Sequence, residues 1–355
     1  MHDRLLDYLN RVADVHLVSR LKDERLNFPH KDDIRIFLPD MHLISKDRDK
    51  EFKYGTNHPA LLAKLAEELK EFKKETGDAE TVFVYQLGDF IDLWRETPSY
   101  WSVGGQSDEW EASVQQILDD NSPVINPLRD PDLGTQFILG NHDIDLYRLP
   151  SFAGWNLKYY FPLDLEKGAS AAVFHGDIFS MFEKIIPDGL QYLAVHIFGP
   201  LVKPSVKDLG TIRDVIIKAH NKRKYSNYIQ RPAPSGPDNL ITLGSEPLPE
   251  RHNVKEKGIT NEEELTYLKE AEDFGDRVNE EMGWNLRMAV IGHTHYARIA
   301  VDESDNKFFT LLDCGAWIER CSVTIEGEEK EMENAQIGAL NDNDVRIYQL
   351  SPKET

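Results

Sequence analysis

Five short apolar runs, each stopping at small or polar residues and then at an aspartate or histidine, constrain this chain most. They are DIRIFLPDMH (33–42), TVFVYQLGDFID (81–92), QFILGNHD (136–143), AAVFHGD (171–177) and MAVIGHTH (288–295). Near-continuous apolar runs bounded by turn residues read as strands buried on both faces. Between the first two lies HPALLAKLAEELKEFKKETG, with Leu61, Leu62, Leu65, Leu69 and Phe72 at helical spacing and Gly77 as a stop. A strand, a helix and a strand in succession form a βαβ unit, so the strands are expected to run parallel. Their carboxyl ends then fall on one edge of one sheet, where open α/β sheets place their ligands.

Those ends would deliver Asp40, His42, Asp89, Asn141, His175, His293 and His295 to a common edge. Three carboxylate or amide oxygens beside four imidazoles suit Mn, Fe or Zn better than Ca or Mg, which prefer oxygen alone. Seven ligands exceed what one open catalytic ion takes and fit two ions sharing a bridging carboxylate. Taken singly, most of these signals are weak: Gly-Asp is usually a turn, and a lone histidine is usually structural. Gly292-His293-Thr294-His295 is sharper, because alternate residues leaving a strand put both imidazoles on one side. All five in order, each closing an apolar run, are not explained by turns.

Composition narrows the function. The chain has 355 residues, 40% hydrophobic and 29% charged, with a formal net charge of -21. Such acidity argues against a general nucleic-acid surface, and no strong nucleic-acid signal is present. The start carries charges every few residues and does not read as a signal peptide. Its Leu5, Leu9, Val12 and Leu21 suit an amphipathic helix. The longest greasy stretch, 190–202, is interrupted by His196 and Pro200 and is too short to span a bilayer. Cys314 and Cys321 have no metal or redox spacing and read as reduced core thiols, so a cytoplasmic protein is expected.

The five blocks together resemble the calcineurin-like metallophosphoesterases. The resemblance covers about residues 33–177 and 286–350 and implies a four-layer α/β/β/α sandwich with a mostly helical inserted cap. It implies two divalent ions, Mn first, with Fe or Zn as alternatives. By the family pattern Asp40, His42, Asp89 and His295 would hold one ion. Asp89, Asn141, His175 and His293 would hold the other, with Asp89 bridging. Hydrolysis would proceed by attack of a bridging hydroxide on a phosphate ester or diphosphate. His142, not needed as a ligand, would stabilise the transition state and help protonate the leaving group, with Asp143 holding its ring. Asp92 would support a ligand rather than be one. Gly-Asp-Phe-Ile-Asp-Leu-Trp94 and Asp313-Cys-Gly-Ala-Trp317 are similar to the UDP-2,3-diacylglucosamine pyrophosphatase branch. That branch typically has arginine where this chain has His142, so the implication is phosphoester hydrolysis rather than one glycolipid.

Three parts are expected: a helical N-terminal extension (1–30), a core (31–180 and 286–350) and a cap (181–285). From His175 to His293 the chain runs 118 residues, far more than a βα connection needs. Both roots of the insertion are expected beside the site. Its first half pairs an apolar run with eight cations against Asp208 and Asp214. Arg213, Arg223 and Lys224 are the candidates for holding a second anionic group, on a phosphorylated small molecule or lipid-linked substrate. The alternatives are a phosphoprotein or nucleic-acid substrate at the same site, or a metal-binding scaffold.

Overall fold

All five apolar runs are strands, and the segment joining the first two is a helix. The computed structural model describes residues 1–26, 28, 32–47, 58–76, 81–93, 108–140, 142–143, 146, 150–152, 154–158, 160–163, 170–176, 240–243, 268–269, 271–273, 275–276, 279, 285–302, 308–318, 320–325 and 328–353. In chain order these form α1 (His2–Val12), β1 (Asp14–Lys22), β2 (Ile34–Leu38), α2 (Pro59–Glu75), β3 (Val82–Gln86), α3 (Asp108–Asp120), α4 (Ser122–Arg129), β4 (Gln136–Ile138), β5 (Leu157–Lys158) and β6 (Tyr160–Leu163). Then follow β7 (Ser170–Phe174), β8 (Leu240–Leu243), β9 (Leu286–Ile291), β10 (Ala297–Asp302), β11 (Phe309–Cys314), β12 (Arg320–Ile325), β13 (Glu328–Glu333), β14 (Gln336–Asn341) and β15 (Asp344–Ser351).

The strands divide over two main sheets rather than sharing one, which corrects the expectation of a single edge. The first has the order β1-β15-β14-β2-β3-β4-β5 and the second β6-β7-β9-β11-β10-β8. Thus β2, β3 and β4 are parallel neighbours in one sheet, while β7 and β9 are parallel neighbours in the other. Apolar runs buried on both faces say only that something covers each face. Here one face of each strand meets the other sheet.

Alternation along the strands sorts the side chains into three cores. Ile34, Ile36 and Leu38 of β2 face α1, α2 and α4, while Phe37 faces the second sheet. Ala171 and Val173 of β7 look inward between the sheets; Ala172 and Phe174 look outward. Along β9, a register shift against β7 lets Leu286 and Met288, two residues apart, serve opposite cores. Leu268 and Ala271, in helical backbone, cover the outer face of the second sheet. Helices, sheet, sheet and a helical segment give the four layers.

α2 forms because Leu61, Leu62, Leu65, Leu69 and Phe72 recur on one face, all buried, with Pro59 in the first turn. It ends at Glu75, where the Thr76 hydroxyl donates to the Lys73 carbonyl at 2.6 Å; Gly77 lies outside the described residues. The N-terminal segment is not an appended helix. α1 packs on α2, with the Tyr8 and Phe72 rings 5.0 Å apart, and Asp14–Lys22 is an edge strand paired with β15. Leu21, expected on the helix, instead pairs opposite Val345 and faces the inter-sheet core.

Two findings revise the insertion. It departs from the carboxyl end of β7, but it re-enters at the amino end of β9, and the two strands are parallel. Only its first root therefore lies at the site edge. Within it, β8 pairs with β10 as the edge strand of the second sheet, so the segment 181–285 is not wholly a cap. No helix among the described residues is long and apolar enough to cross a membrane.

Phe72→Ala is expected to lower the unfolding free energy by about 3–5 kcal/mol, the range for a fully buried phenylalanine. Leu17, 42% exposed on β1, should cost under about 0.5 kcal/mol when changed to alanine. Denaturant titration of the two variants checks the contrast; equal losses would contradict these core boundaries.

Candidate metal centre

The site is built where the carboxyl ends of β2, β3, β4, β7 and β9 meet. The loops after β2 and β3 run side by side. His42 N–H donates to the Asp89 carbonyl (2.8 Å), Leu43 N–H to the Phe90 carbonyl (2.9 Å) and Asp92 N–H to the Leu43 carbonyl (3.0 Å). With their backbones satisfied, these loops can turn Asp40, His42, Asp89 and Asp92 together out of water. The Gln86 side chain braces the turn, donating to the Gly88 carbonyl (2.7 Å) and accepting the Gly88 N–H (3.1 Å).

Aiming the side chains requires unusual backbone. His42, Asp89, His293 and His295 have φ of 48°, 45°, 67° and 62°, the left-handed region that L-residues avoid. Such strain persists only where surrounding structure holds it, and it concentrates at functional sites. Clearance is also needed. A Cβ on Gly140 would lie 2.2 Å from Asp89 Oδ1, and one on Gly292 would lie 2.3 Å from Asp40 Oδ1.

Every imidazole whose partners are resolved is oriented by a neighbour. The Leu87 carbonyl can only accept, so His175 donates Nδ1–H to it (3.0 Å), and Nε2 turns toward Asp89 Oδ2 at 3.2 Å. Asp92, fully buried, holds two rings. Its Oδ2 takes His42 Nδ1 (3.0 Å) and its Oδ1 takes His142 Nδ1 (2.9 Å). His42 Nε2 lies 3.6 Å from Asp89 Oδ2. His293 N–H donates to Asp40 Oδ2 (2.9 Å), and His295 Nε2 is 3.3 Å from that oxygen. Three compact groups of potential ligands result: Asp40, His42 and His295; Asp89, His175 and His293; and, where Asp92 grips its two rings, His42, Asp92 and His142.

The sequence model of the calcineurin-like phosphoesterase family matches residues 12–297. The chain belongs to that family. A search of curated proteins finds no match. The match runs from the end of α1 to the start of β10, through strands of both sheets and the insertion, and with the Asp/His groups it supports a metal-dependent phosphoesterase.

The donor set of this phosphoesterase fits divalent cations. With Nδ1–H given to Leu87, His175 turns Nε2 toward a carboxylate oxygen at 3.2 Å. His293 Nδ1 also lies 3.2 Å from that Nε2, so atoms of one candidate ligand group converge on one point. Asp40 Oδ1 is buried and, among the described residues, has no hydrogen-bond partner. A cation would serve both features. Burial alone would raise the Asp89 carboxyl, but His175, His142 and His42 hold it well below the usual carboxylate range. His142 is lowered by burial, against which Asp92 and Asp89 act.

Of the residues expected at the site, Asp40, His42, Asp89, His175, His293, His295, His142, Asp143 and Asp92 are brought together. Asn141, Arg213, Arg223 and Lys224 lie outside the described residues. One expected role is corrected: Asp143 does not hold the His142 ring. Its carboxylate accepts Gly140 N–H (2.6 Å) and Phe90 N–H (2.7 Å), so it pins two loops, and Asp92 takes the ring. Burial and the charge of Asp89 push the Asp143 carboxyl up to about 8, against those backbone donors. The double grip of Asp92 is a role that local sequence does not specify, although Asp89-x-x-Asp92 closing a strand carries its signal.

Gly140→Ala drives a methyl into Asp89, so Mn²⁺ affinity should fall by about 10–100-fold, the scale for disturbing a ligand's support. Equilibrium dialysis measures it. Wild-type affinity in the variant would show that Asp89 is not needed in its present position.

Proposed function

We propose that this phosphoesterase hydrolyses a phosphate ester or diphosphate bond at a centre of two divalent ions, with Mn²⁺ the first candidate. One observation carries the reading. Asp89 Oδ2 lies 3.2 Å from His175 Nε2 and 3.6 Å from His42 Nε2, so one carboxylate oxygen joins the first two groups. Asp40, His42 and His295 would hold one ion and His175 and His293, with Asn141, the other, Asp89 serving both. Bound ions would supply Lewis-acid polarisation of phosphate oxygens and an activated water.

The chain's own residues set up the rest. Asp92 on Nδ1 of His142 opposes the lowering that burial imposes and fixes the ring's orientation, so Nε2 is the atom that would pass a proton to the leaving oxygen. His142 N–H donates to Asp89 Oδ1 (2.8 Å), keeping the acid in register with the bridging carboxylate. In the insertion, Arg213, Arg223 and Lys224 are proposed to hold a second anionic group. The motif similarity to UDP-2,3-diacylglucosamine pyrophosphatases supports a diphosphate or lipid-linked substrate. The buried free thiol of Cys314 supports a reducing, cytoplasmic setting.

The test is metal analysis together with hydrolysis of p-nitrophenyl phosphate and its bis ester in Mn²⁺. Asp89→Ala should lose both ions, while His42→Ala should chiefly weaken one. Two ions retained in Asp89→Ala would sink the bridging role. A wild-type protein that binds Mn²⁺ but cleaves no phosphoester would point to a scaffold.

His142→Ala should keep its metal while turnover falls roughly 10²–10⁴-fold, the scale of a positioned general acid. That loss should shrink for substrates with good leaving groups. Asp92→Asn should lower metal affinity and turnover together, because it grips a proposed ligand and the proposed acid. Equal damage to metal content in the two variants would contradict this division of labour.

Replacing Arg213, Arg223 and Lys224 by alanine should raise KM for the natural substrate and leave p-nitrophenyl phosphate nearly unaffected. A panel of phosphomonoesters, diesters and nucleotide diphosphates identifies the substrate to use. Equal effects on both substrates would remove these residues from recognition.

A further inference from the structure

The loop joining β9 to β10 carries two proposed ligands, His293 and His295, and both are left-handed. Non-glycine residues in that region are strained and relax unless something holds them. His293 is held by its own N–H on Asp40 Oδ2. Between the two ligands stands Thr294. Its hydroxyl donates to Asp313 Oδ2 at 2.5 Å and accepts Tyr296 N–H at 3.1 Å. Thr294 N–H closes a tight turn onto the Gly292 carbonyl at 2.7 Å.

Asp313 is well placed for this. It lies near the carboxyl end of β11, paired with Ile291 of β9 on one side and Arg298 of β10 on the other. The β9–β10 connection therefore passes over the end of β11, directly above its carboxylate. That carboxylate is fully buried and is balanced by Arg298, whose Nη2 donates to the same Oδ2 at 3.0 Å. Thr294 and Arg298 thus converge on one oxygen in a site closed to water, where a hydrogen bond is stronger than in solvent.

We propose that Thr294 and Asp313 are positioning residues, a latch that holds His293 and His295 in the geometry needed to bind metal. Because the two histidines belong to different ligand groups, one latch serves both halves of the centre. Neither latch residue needs to touch an ion. The proposal rests on the metal-centre reading above, and its test separates the two.

Full-length wild type, Thr294→Val, Thr294→Ser, Asp313→Asn and the Thr294→Val/Asp313→Asn double variant would be titrated with Mn²⁺ by equilibrium dialysis. Thermal melting of each metal-free protein would accompany the titration. Thr294→Val keeps the shape but loses the hydroxyl, so Mn²⁺ affinity should fall about 10–100-fold, as for other lost supports of metal ligands. Thr294→Ser should stay close to wild type. The double variant should bind no more weakly than Asp313→Asn alone, because both changes break one contact. Unaltered affinity in Thr294→Val overturns the proposal, as do equal losses in the valine and serine variants or strictly additive losses. Should Asp313→Asn fail to fold, the valine and serine pair still decides. A wild type that takes up no Mn²⁺ would bring down the metal reading itself, and this proposal with it.

Discussion

Five aspartates withdrawn from water around one site govern this architecture. Asp40, Asp89, Asp92, Asp143 and Asp313 are each no more than 2% exposed. Burying an ionised carboxylate without partners is prohibitively unfavourable, so each must gain donors, a cation or a proton, and burial raises the Asp143 and Asp313 carboxyls toward the last. Asp143 meets the requirement with two backbone N–H groups, Asp92 with two imidazoles and Asp313 with a guanidinium and a hydroxyl. Asp40 and Asp89 each take one backbone N–H, from His293 (2.9 Å) and His142 (2.8 Å), and otherwise face imidazoles across 3.2 to 3.6 Å. These two are where protein donors run short and a cation is called for.

Two sheets serve this better than one. A single parallel edge offers residues in a row, whereas facing sheets bring carboxylates from one side against imidazoles from the other. Asp40 and Asp89 come from the first sheet; His175, His293 and His295 come from the second. The inter-sheet core, with Phe37, Tyr85 and Leu87 packed against Val173, Val290 and Cys314, sets the separation. The Trp317 amide donates to the Asp40 carbonyl at 2.8 Å, and its indole N–H to the Gln336 carbonyl at 2.9 Å. That buried tryptophan ties the return strands to the first ligand loop.

What the sequence revealed was local, and what it concealed was pairing. A run such as VFVYQLGD announces a buried strand ending at an acid, because burial and chain reversal both leave their marks within a few residues. Nothing in that run says whether β7 lies beside β4 or across a core from it. Nor could local pattern disclose that β14, from the far end of the chain, would pair antiparallel with β2. Adjacency in sequence links Asp143 to the His142 ring, yet the turn sends its carboxylate toward Gly140 and Phe90 instead. Asp92 was close in space rather than in sequence, 50 residues from both of its imidazoles. Histidines at positive φ could not have been read at all, since only a folded environment imposes that conformation.

Strain and charge at the site reinforce one another. Left-handed residues place His42, Asp89, His293 and His295 where their side chains converge, and the convergence crowds like-charged or lone-pair-bearing atoms. A folded chain alone must hold both against relaxation, using the paired loop backbones and the brace of Gln86. A divalent cation attracts those same atoms, so crowding that opposes the empty fold would favour the loaded one. Unfolding would separate residues drawn from positions 40 to 295, and no unfolded segment could match that affinity. Binding free energy would then add to folding free energy by linkage. The geometry that makes the centre strained when empty is thus the geometry that makes it selective for a cation when filled.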